Sequence, residues 1–430
     1  MARKKTAEKP QRQLTRRQLS QYQKQKRRQR FIFIGGIAII VVIVMLIFVG
    51  WITSEYLPMR KTVIKVDKYE YNMQYYVDAI EFYSKATNQT NIPTLANAII
   101  MQIEDDALVM LDAEKLGISV EDDEVRELLE DSETEITDVI LNFMKVQLLK
   151  ERVRNEYFAK QVPTSASQVN IRVILLESES QAEEIRDRLV SGDNFSLMAE
   201  EFSLHESTKA DKGEVGWHPE DVLTDTGILN LAIPGEFAFS SEAGTLSQPL
   251  YDEDRSKQVG YWLVNVMEKP TEAGANIKVI LLGSEEEASY VRDQIATTEN
   301  LTALIEEYSQ DASTRTSGGL MTAVMREQMS EPVDEYVFDD NVTMGVWSEP
   351  IRDDTVSTTG GYWLVEVIGK DADREISEED KESLISKLYN EWFGGLRERY
   401  AEIIDHNYLT FEEIQWAIEK VQKDLEDERE

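Results

Sequence analysis

The apolar positions of this chain form one long uninterrupted run near the start, followed by segments with helical and strand periodicity. Residues 31–53 contain no charged side chain. As a helix, this run would span about 35 Å, which is enough to cross a hydrocarbon core of about 30 Å. It exceeds the apolar region of a cleavable signal peptide, about 7–15 residues, and Trp51 and Tyr56 stand where an interfacial aromatic belt would lie. The pattern predicts an uncleaved transmembrane helix.

Residues 61–165 follow a helical pattern after this run. Apolar side chains recur there at spacings of three and four, as expected of helices that bury one face. The clearest stripe consists of Ile99, Ile100, Ile103, Ala107, Leu108, Leu111 and Leu116. Pro163-Thr164-Ser165 indicates a domain boundary. The helical pattern returns over residues 376–426, and we expect that segment to pack against the first helical domain.

An internal repeat occupies the region between the two helical segments. Glu200-Glu201-Phe202-Ser203 returns as Glu306-Glu307-Tyr308-Ser309, 106 residues later. Gly260-Tyr261-Trp262-Leu263-Val264 returns as Gly361-Tyr362-Trp363-Leu364-Val365, 101 residues later. Two constant offsets, separated by a single five-residue deletion, indicate a tandem duplication of a module of about 100 residues.

Each copy of the repeat has the same order of elements. A β-rich run opens it, two helices and a Ser/Thr/Gly-rich loop follow, and a second β-rich run closes it. This order predicts a small α+β fold with helices packed on a sheet. We place the first copy at residues 168–269 and the second at residues 274–370.

Charge is distributed very unevenly along the chain. Residues 1–30 contain twelve Lys or Arg and one acid, whereas the whole chain carries a net charge of −35. Because Lys and Arg resist translocation, we expect residues 1–30 to be a cytoplasmic tail and the acidic bulk to lie outside the membrane. The basic tail could also bind nucleic acid or anionic lipid, but the neighbouring apolar run already explains its charge.

The composition excludes several kinds of site. The chain has no cysteine, which excludes disulfides, thiol nucleophiles and Cys-ligated metals. Its three histidines, His205, His218 and His406, are too few for a multi-histidine metal centre. No phosphate-binding glycine loop or nucleophile elbow is present, and we expect no cofactor.

Each copy of the repeat resembles a parvulin-type (PpiC) peptidyl-prolyl isomerase domain, which has an FKBP-like α+β fold. The flanking helical segments resemble the chaperone domain of extracytoplasmic foldases of the SurA and PrsA type. The segment from Asn97-Ala98-Ile99 to Leu116-Gly117-Ile118-Ser119 is typical of that chaperone domain. The resemblance covers residues 61–425 and implies binding of unfolded polypeptides.

The family's active site normally contains two histidines and a central Cys or Asp. At the first-strand histidine position this chain has Val173 and Val279, and at the last-strand position it has Trp262 and Trp363. Replacing both histidines with apolar residues avoids leaving one of them buried without a partner. The resemblance therefore implies isomerase activity that is weak or lost.

The resemblance also indicates which residues could form the sites. His205 and Asp311 occupy the central position and are the candidate catalytic residues, although His205 could simply be an exposed loop residue and Asp311 a turn cap. The proline pocket would be formed by Gln328, Met329, Val333 and Phe338 in the second copy and by Phe239 in the first. Under the alternative interpretation, Met329 and Phe338 only fill a core.

These observations lead to one main hypothesis. We expect a single-pass membrane protein whose extracytoplasmic part is a foldase or chaperone for newly exported, unfolded polypeptides containing X–Pro bonds. The alternative is a holdase or assembly scaffold whose parvulin-like modules only bind. A receptor signalling through the basic tail would need a cytoplasmic partner, for which thirty residues offer no domain.

Overall fold

The computed structural model describes residues 16–130, 136–268, 270–271, 274–404 and 408–427. Half of the predicted basic tail, residues 1–15, and His406 lie outside the described residues. The helices are α1 Arg16–Trp51, α2 Leu57–Met59, α3 Met73–Thr87, α4 Ile92–Lys115, α5 Asp122–Leu128, α6 Asp138–Arg152, α7 Glu179–Val190, α8 Phe195–Phe202, α9 Glu206–Ala210, α10 Glu220–Thr224, α11 Ala232–Ser240, α12 Glu285–Ile295, α13 Leu301–Tyr308, α14 Glu331–Val337, α15 Glu378–Gly394, α16 Leu396–Arg399, α17 Ala401–Ile404 and α18 Phe411–Asp427. The strands are β1 Thr62–Val66, β2 Tyr69–Asn72, β3 Ser165–Leu176, β4 Glu214–Pro219, β5 Leu250–Asp252, β6 Gly260–Val266, β7 Ala275–Leu282, β8 Leu320–Val324, β9 Ile351–Asp353 and β10 Gly361–Glu375.

The described chain divides into two compact units. The helical unit comprises the described residues up to Tyr157 and those from Glu391 onward, and the sheet unit comprises Phe158–Asn390. The predicted fold class, α+β with an N-terminal apolar helix, is confirmed by these elements.

The apolar run forms the second half of α1. The candidate membrane span covers Phe33–Met59, with a mean hydropathy of 3.1, and none of its most apolar window is buried in protein. A π-helical turn at Ile52–Tyr56 joins α1 to α2 without a break in the helical path. By length and composition this segment can cross a membrane.

The helical unit has a core formed mainly by α3 and α4. Their N-termini are capped by Asn72 and Asn91, whose side-chain oxygens accept the Tyr75 and Thr94 amide hydrogens at 2.9 and 3.3 Å. The predicted stripe on α4 is buried at Ile99, Ile103, Ala107, Leu108 and Leu111. A two-stranded sheet of β1 and β2 leads into α3.

The C-terminal segment contributes polar contacts as well as apolar ones to the helical unit. Asp112, which is 7% exposed, accepts hydrogen bonds from the Trp392 indole at 2.5 Å and from the Tyr400 hydroxyl. Arg397 pairs with Glu104 at 3.1 Å and with Asp105 at 2.6 Å. The first part of α15 belongs to the sheet unit instead. There, Asp380 bonds Nδ1 of His218 at 2.9 Å.

The sheet unit contains two four-stranded antiparallel sheets. The first sheet has the order β4-β3-β10-β5 and the second has the order β8-β7-β6-β9. β10 closes the second copy of the repeat in sequence, but in the structure it pairs along β3 of the first copy. β6 closes the first copy in sequence and pairs along β7 of the second copy. The repeat predicts that each copy closes its own sheet, whereas the structure exchanges the closing strands.

A short connection between the two copies explains the exchange. Only eight residues separate Val266 from Ala275, so β6 and β7 form an antiparallel hairpin instead of separating into different sheets. Gly274 closes the turn with a φ of +100°, and a Cβ there would lie 2.6 Å from the Ala323 carbonyl carbon. Because β6 and β10 share the sequence Gly-Tyr-Trp-Leu-Val, either strand presents nearly the same side chains to either sheet.

The connection from β5 to β6 and the connection from β9 to β10 contact each other at equivalent positions of the repeat. The Lys257 and Thr358 backbones exchange hydrogen bonds at 2.9 and 3.0 Å, and the Ser256 and Ser357 hydroxyls lie 3.0 Å apart. Positions 101 residues apart thus contact each other, which is the pattern of an isologous two-fold contact within one chain.

Candidate functional sites

The strand exchange makes each candidate site a composite of both repeats. The first site lies on the first sheet and combines Val173 and His205 of the first repeat with Trp363 of the second. The second site lies on the second sheet and combines Val279 and the apolar segment 329–338 of the second repeat with Trp262 of the first. A fragment that contains a single repeat therefore lacks part of either site.

The valines at the histidine positions are deeply buried. Val173 and Val279 are both fully buried, and each lies beside a glycine of positive φ, Gly213 or Gly319. The Val173 and Val279 amides donate to the carbonyl oxygens of these glycines at 2.9 Å in both repeats. A Cβ at Gly319 would lie 2.4 Å from the Val279 carbonyl oxygen, so the backbones approach too closely for a side chain at that position.

The two tryptophans form hydrogen bonds as well as packing contacts. The Trp363 indole nitrogen donates to Asp252 at 2.9 Å, and the Trp262 indole nitrogen donates to Asp353 at 3.0 Å. Asp252 and Asp353 are counterparts in the two repeats and lie 101 residues apart in sequence. Sequence reasoning missed Asp252 and Asp353, although the constant offset of the repeat was a signal that could have identified them.

Asp353 is the more buried of the two acceptors. Its side chain is fully buried, whereas Asp252 is half-buried. Burial by itself would raise the pKa of Asp353, but hydrogen bonds from Thr355 and Trp262, among others, lower it overall. The carboxylate is therefore charged at neutral pH and holds the Trp262 ring in the sheet.

The central residues, His205 and Asp311, each follow a serine that is hydrogen-bonded to the neighbouring strand in the same way. The hydroxyl oxygen of Ser203 accepts the Leu175 amide, and that of Ser309 accepts the Leu281 amide, both at 3.2 Å. These bonds tie the loop that carries each central residue to the middle strand of its sheet. The position of either side chain is thus fixed by its sheet.

Both central side chains are engaged by the hydroxyl groups that follow them. His205 bonds Thr208 through Nδ1 at 2.8 Å and Ser207 through Nε2 at 3.1 Å. Asp311 accepts hydrogen bonds from Ser313 at 2.8 Å and from Thr314 at 2.5 Å. Each residue thus acts as a cap of its own loop, which is the role that sequence analysis left open for Asp311.

His205 is neutral at physiological pH. Its side chain is 9% exposed, and its ring packs edge-on against Trp363 with the centroids 5.2 Å apart. Burial lowers the pKa of His205 to about 4, and the positive charge of Arg255 adds to this effect. The interpretation of His205 as an exposed loop residue is therefore wrong.

Arg255 distinguishes the first site from the second. Its guanidinium lies 5.2 Å from the centre of the Trp363 ring and donates to the Asn230 carbonyl at 2.9 Å. The corresponding residue of the second repeat is Val356, which packs against the apolar cluster containing Trp262. The first site therefore contains a half-buried cation and a neutral imidazole, whereas the second has an apolar residue in place of the cation.

The structure brings together only some of the predicted pocket residues. Met329, Val333 and Phe338 pack on one cluster of the second sheet, with Val333 fully buried. Gln328 is exposed and accepts the Met325 amide at 2.8 Å, so it stabilises a turn beside the cluster. Phe239 packs on the first sheet in the same way as Phe338 packs on the second.

A cavity of about 390 Å³ opens beside Phe338. Met325, Val342 and Met344 provide apolar walls, and Arg326 stacks its guanidinium 4.7 Å from the centre of the Phe338 ring. A cavity of this size and character suits a small apolar side chain approached from solvent. Of the predicted pocket residues, Phe338 lines it.

Comparison with known proteins identifies the repeat. Residues 175–268 and 283–369 match the rotamase family, described as the PPIC-type PPIase domain. A parvulin-like PPIase of Rickettsia prowazekii is 27% identical over 196 residues, which are 44% of this chain and 62% of that relative. A foldase protein PrsA of Caldanaerobacter subterraneus is 27% identical over 170 residues, which are 36% of this chain and 52% of that relative. These matches span between half and two thirds of the relatives' lengths.

A solved structure is also similar at low identity. A peptidylprolyl isomerase (PrsA) from Bacillus cereus aligns over 84% of this chain and 99% of its own length, with 11% identity and a TM-score of 0.31. The predicted pair of parvulin-type domains is confirmed by the two family matches.

Proposed function

We propose that this chain, which carries two PPIC-type peptidyl-prolyl isomerase domains at residues 175–268 and 283–369, is a membrane-tethered foldase for exported polypeptides. The apolar helix would anchor it, the basic residues before the helix would stay in the cytoplasm, and both units would lie outside. Its clients would be unfolded chains with exposed X–Pro segments. Isomerisation would be slow or absent, and binding would be the main activity.

One observation carries this proposal. At all three positions where the family has polar active-site groups, this chain has either a buried apolar side chain or a polar one already bonded within the protein. Val173 and Val279 are buried, the tryptophans are held by aspartates, and His205 and Asp311 cap their own loops. Transition-state stabilisation requires groups that interact more strongly with the twisted amide than with the planar one. Side chains that are already hydrogen-bonded within the protein supply little of this stabilisation of the twisted amide.

The apolar surface needed for binding is retained. Phe338 and the cavity beside it offer a place for a proline ring, and Arg326 stacks on the Phe338 ring while it donates to the Phe338 carbonyl at 3.2 Å. The second site is therefore the better candidate for X–Pro recognition, because it has a cavity and Phe338, Val342 and Met344 supply apolar surface to it. Loss of isomerase activity combined with retained binding would give a holdase or assembly scaffold, which is the alternative.

A pair of assays on the full chain in lipid nanodiscs tests the proposal. The first follows suppression of aggregation of a denatured client, and the second is a protease-coupled assay on an X–Pro peptide. We expect the chain to suppress aggregation. We expect cis–trans isomerisation of the peptide to take about as long as the uncatalysed step, about 10–100 s. Phe338→Ala should weaken suppression, and Phe239→Ala, the matching change on the first sheet, should weaken it less.

The outcomes separate the candidate functions. A peptide rate well above background that falls in Asp311→Ala would show an active isomerase and refute the claim of slow turnover. Suppression with no rate above background would establish the holdase. A chain that neither suppresses aggregation nor accelerates isomerisation would refute the foldase proposal as a whole.

A further inference from the structure

A cleft of about 480 Å³ lies where the apolar helix meets the folded part of the helical unit. Its walls come from the end of the apolar segment, from the start of α3 and from α18. All of these elements belong to the helical unit. The cleft belongs to neither parvulin-type domain, and the proposed foldase activity does not use it.

The length of the apolar segment places this cleft at the depth of lipid headgroups. Phe33–Met59 contains 27 residues, which as a helix span about 40 Å. The hydrocarbon core is about 30 Å thick, and the headgroup regions bring the bilayer to about 40–45 Å. The last residues of the segment therefore emerge into the headgroup layer. Glu55, the first charged residue after Phe33, marks that boundary.

Aromatic side chains form one wall of the cleft. The Trp51 and Tyr56 rings lie 5.9 Å apart, and Trp51 is half-exposed. Rings of this kind are favoured at the membrane interface, where they contact both the glycerol region and water. Met59 extends the apolar wall.

Hydrogen-bond donors suited to a phosphate line the other side. The Arg60 guanidinium lies 4.8 Å from the centre of the Tyr56 ring, and no described carboxylate lies within ion-pair distance of it. Lys420 of α18 reaches the same cleft and is paired with Asp424 at 2.9 Å. Asn72 uses its side-chain oxygen to cap α3, and its amide group is a further donor. Arginine is especially suited to phosphate because its planar fork donates two parallel hydrogen bonds.

We propose that this cleft binds the headgroup of a phospholipid from the membrane that holds the apolar helix. The phosphate would be bound by Arg60, with Lys420 and Asn72 beside it, and the glycerol backbone would lie against Trp51 and Tyr56. Glu55, on the same cleft, would pair with the ammonium of an ethanolamine headgroup. Binding would fix the helical unit on the bilayer surface.

Native mass spectrometry of the full chain tests this inference. The protein is released from detergent micelles supplied with equal amounts of phosphatidylethanolamine and phosphatidylglycerol, and lipid adducts are counted. We expect one retained phosphatidylethanolamine and about a tenfold loss of that adduct in Arg60→Gln, since a charge-assisted hydrogen bond is removed. Glu55→Gln should remove the preference for ethanolamine over glycerol.

The control is Lys85→Gln, which removes an exposed basic residue of α3 that is paired with Glu81 and does not line the cleft. Equal adduct levels in wild type and Arg60→Gln, an equal loss in Lys85→Gln, or a preference for phosphatidylglycerol would overturn the headgroup site. Retention of soluble glycerophosphoethanolamine at the same level would show a free phosphate ester site instead and would also overturn it.

The inference rests on the membrane anchoring in the proposed function, and the two are separated by carbonate extraction. A chain released by carbonate would refute both. A chain that stays in the membrane but retains no lipid through Arg60 would refute the headgroup site alone. Circular dichroism of each variant checks that it is folded.

Discussion

The two composite sites share three equivalent residues and differ in the side chains around them. Both have a buried valine, a tryptophan held by an aspartate, and a central residue that caps its own loop. In the first site the central residue is the neutral His205, and the Arg255 cation lies against the Trp363 ring. The second site has Val356 in place of the cation and a cavity beside Phe338. The two repeats thus share one arrangement of residues, to which polar groups are added in the first site and a cavity in the second.

This difference indicates a division of roles between the repeats. The half-buried Arg255 and the buried, neutral His205 are both engaged by their neighbours, Arg255 by the Asn230 carbonyl and the Trp363 ring and His205 by Thr208 and Ser207. They make the first site a rigid part of the fold. The second site has fewer polar constraints and an accessible cavity, which suits binding of variable clients.

The largest expected effect comes from removing the tryptophans. Trp363→Ala should lower the free energy of unfolding by about 3–5 kcal/mol, because it deletes a fully buried ring and leaves Asp252 and Arg255 without it. Trp262→Ala should cost somewhat less, since Val356 takes the place of the cation there. Urea unfolding followed by far-UV circular dichroism measures both.

Hydrogen exchange on the same two variants tests the strand exchange. Trp363→Ala should increase exchange in β3 and β4 of the first repeat, even though residue 363 belongs to the second. Trp262→Ala should do so in β7 and β8. If each variant loosens only the sheet of its own repeat, the exchanged pairing is wrong.

His205 should make stability depend on pH between about 4 and 6.5. Its pKa is about 4 when folded, against about 6.5 when unfolded, so the unfolded chain binds the extra proton within this range. Stability is therefore lost as pH falls, by up to about 3 kcal/mol at pH 4. His205→Asn should lack this loss, and unfolding of both proteins at pH 7 and pH 4.5 measures it. Parallel losses in the two proteins would contradict the burial of His205.

Asp353→Ala should cost about 1–3 kcal/mol, because the Trp262 indole N–H is left buried without an acceptor. Asp252→Ala should cost less, since Asp252 is half-buried and water can replace it. The folded-state pKa of Asp353 is lowered, so its contribution is present above the unfolded value of about 3.9 and is lost as pH falls below it. Thermal unfolding of both variants at neutral and acidic pH checks the order; equal costs would contradict it.

The smallest expected effect tests the cation of the first site. Arg255→Val introduces the residue that the second repeat has at this position. The pKa of His205 should rise but stay below its usual value, because burial is the larger cause of its lowering and remains. With three histidines in the chain, NMR titration of the imidazole signals can be assigned with His205→Asn as reference. An unchanged pKa would show that Arg255 does not act on His205.

Much of this architecture could be predicted from local patterns. The apolar helix, the stripe on α4 and the strands that begin and end each repeat all depend on short-range periodicity. The repeat offsets also paired Trp262 with Trp363, and these residues lie at equivalent positions of the two sheets. Each of those features depends only on residues within a few helical turns or within one strand.

The pairing of the strands could not be predicted in this way. β6 and β10 have almost the same sequence, so side-chain pattern does not say which sheet receives which strand. The decisive feature is the short connection around Gly274, which favours a hairpin over a separate linker. The burial of His205 was missed for a similar reason, since Trp363 and Arg255 reach it from 158 and 50 residues away in sequence.

The exchanged strands also determine the order in which the chain can be completed as it emerges from its N-terminus. The second sheet needs only residues 260–353, a continuous stretch whose four strands follow one another. The first sheet begins about a hundred residues earlier, yet it must wait for β10 at residues 361–375. Until then one edge of β3 is open, and closing it demands a loop of nearly two hundred residues. The sheet whose first strand is synthesised earlier is therefore completed after the other sheet, and for that interval one edge of β3 in the nascent protein lacks its partner strand.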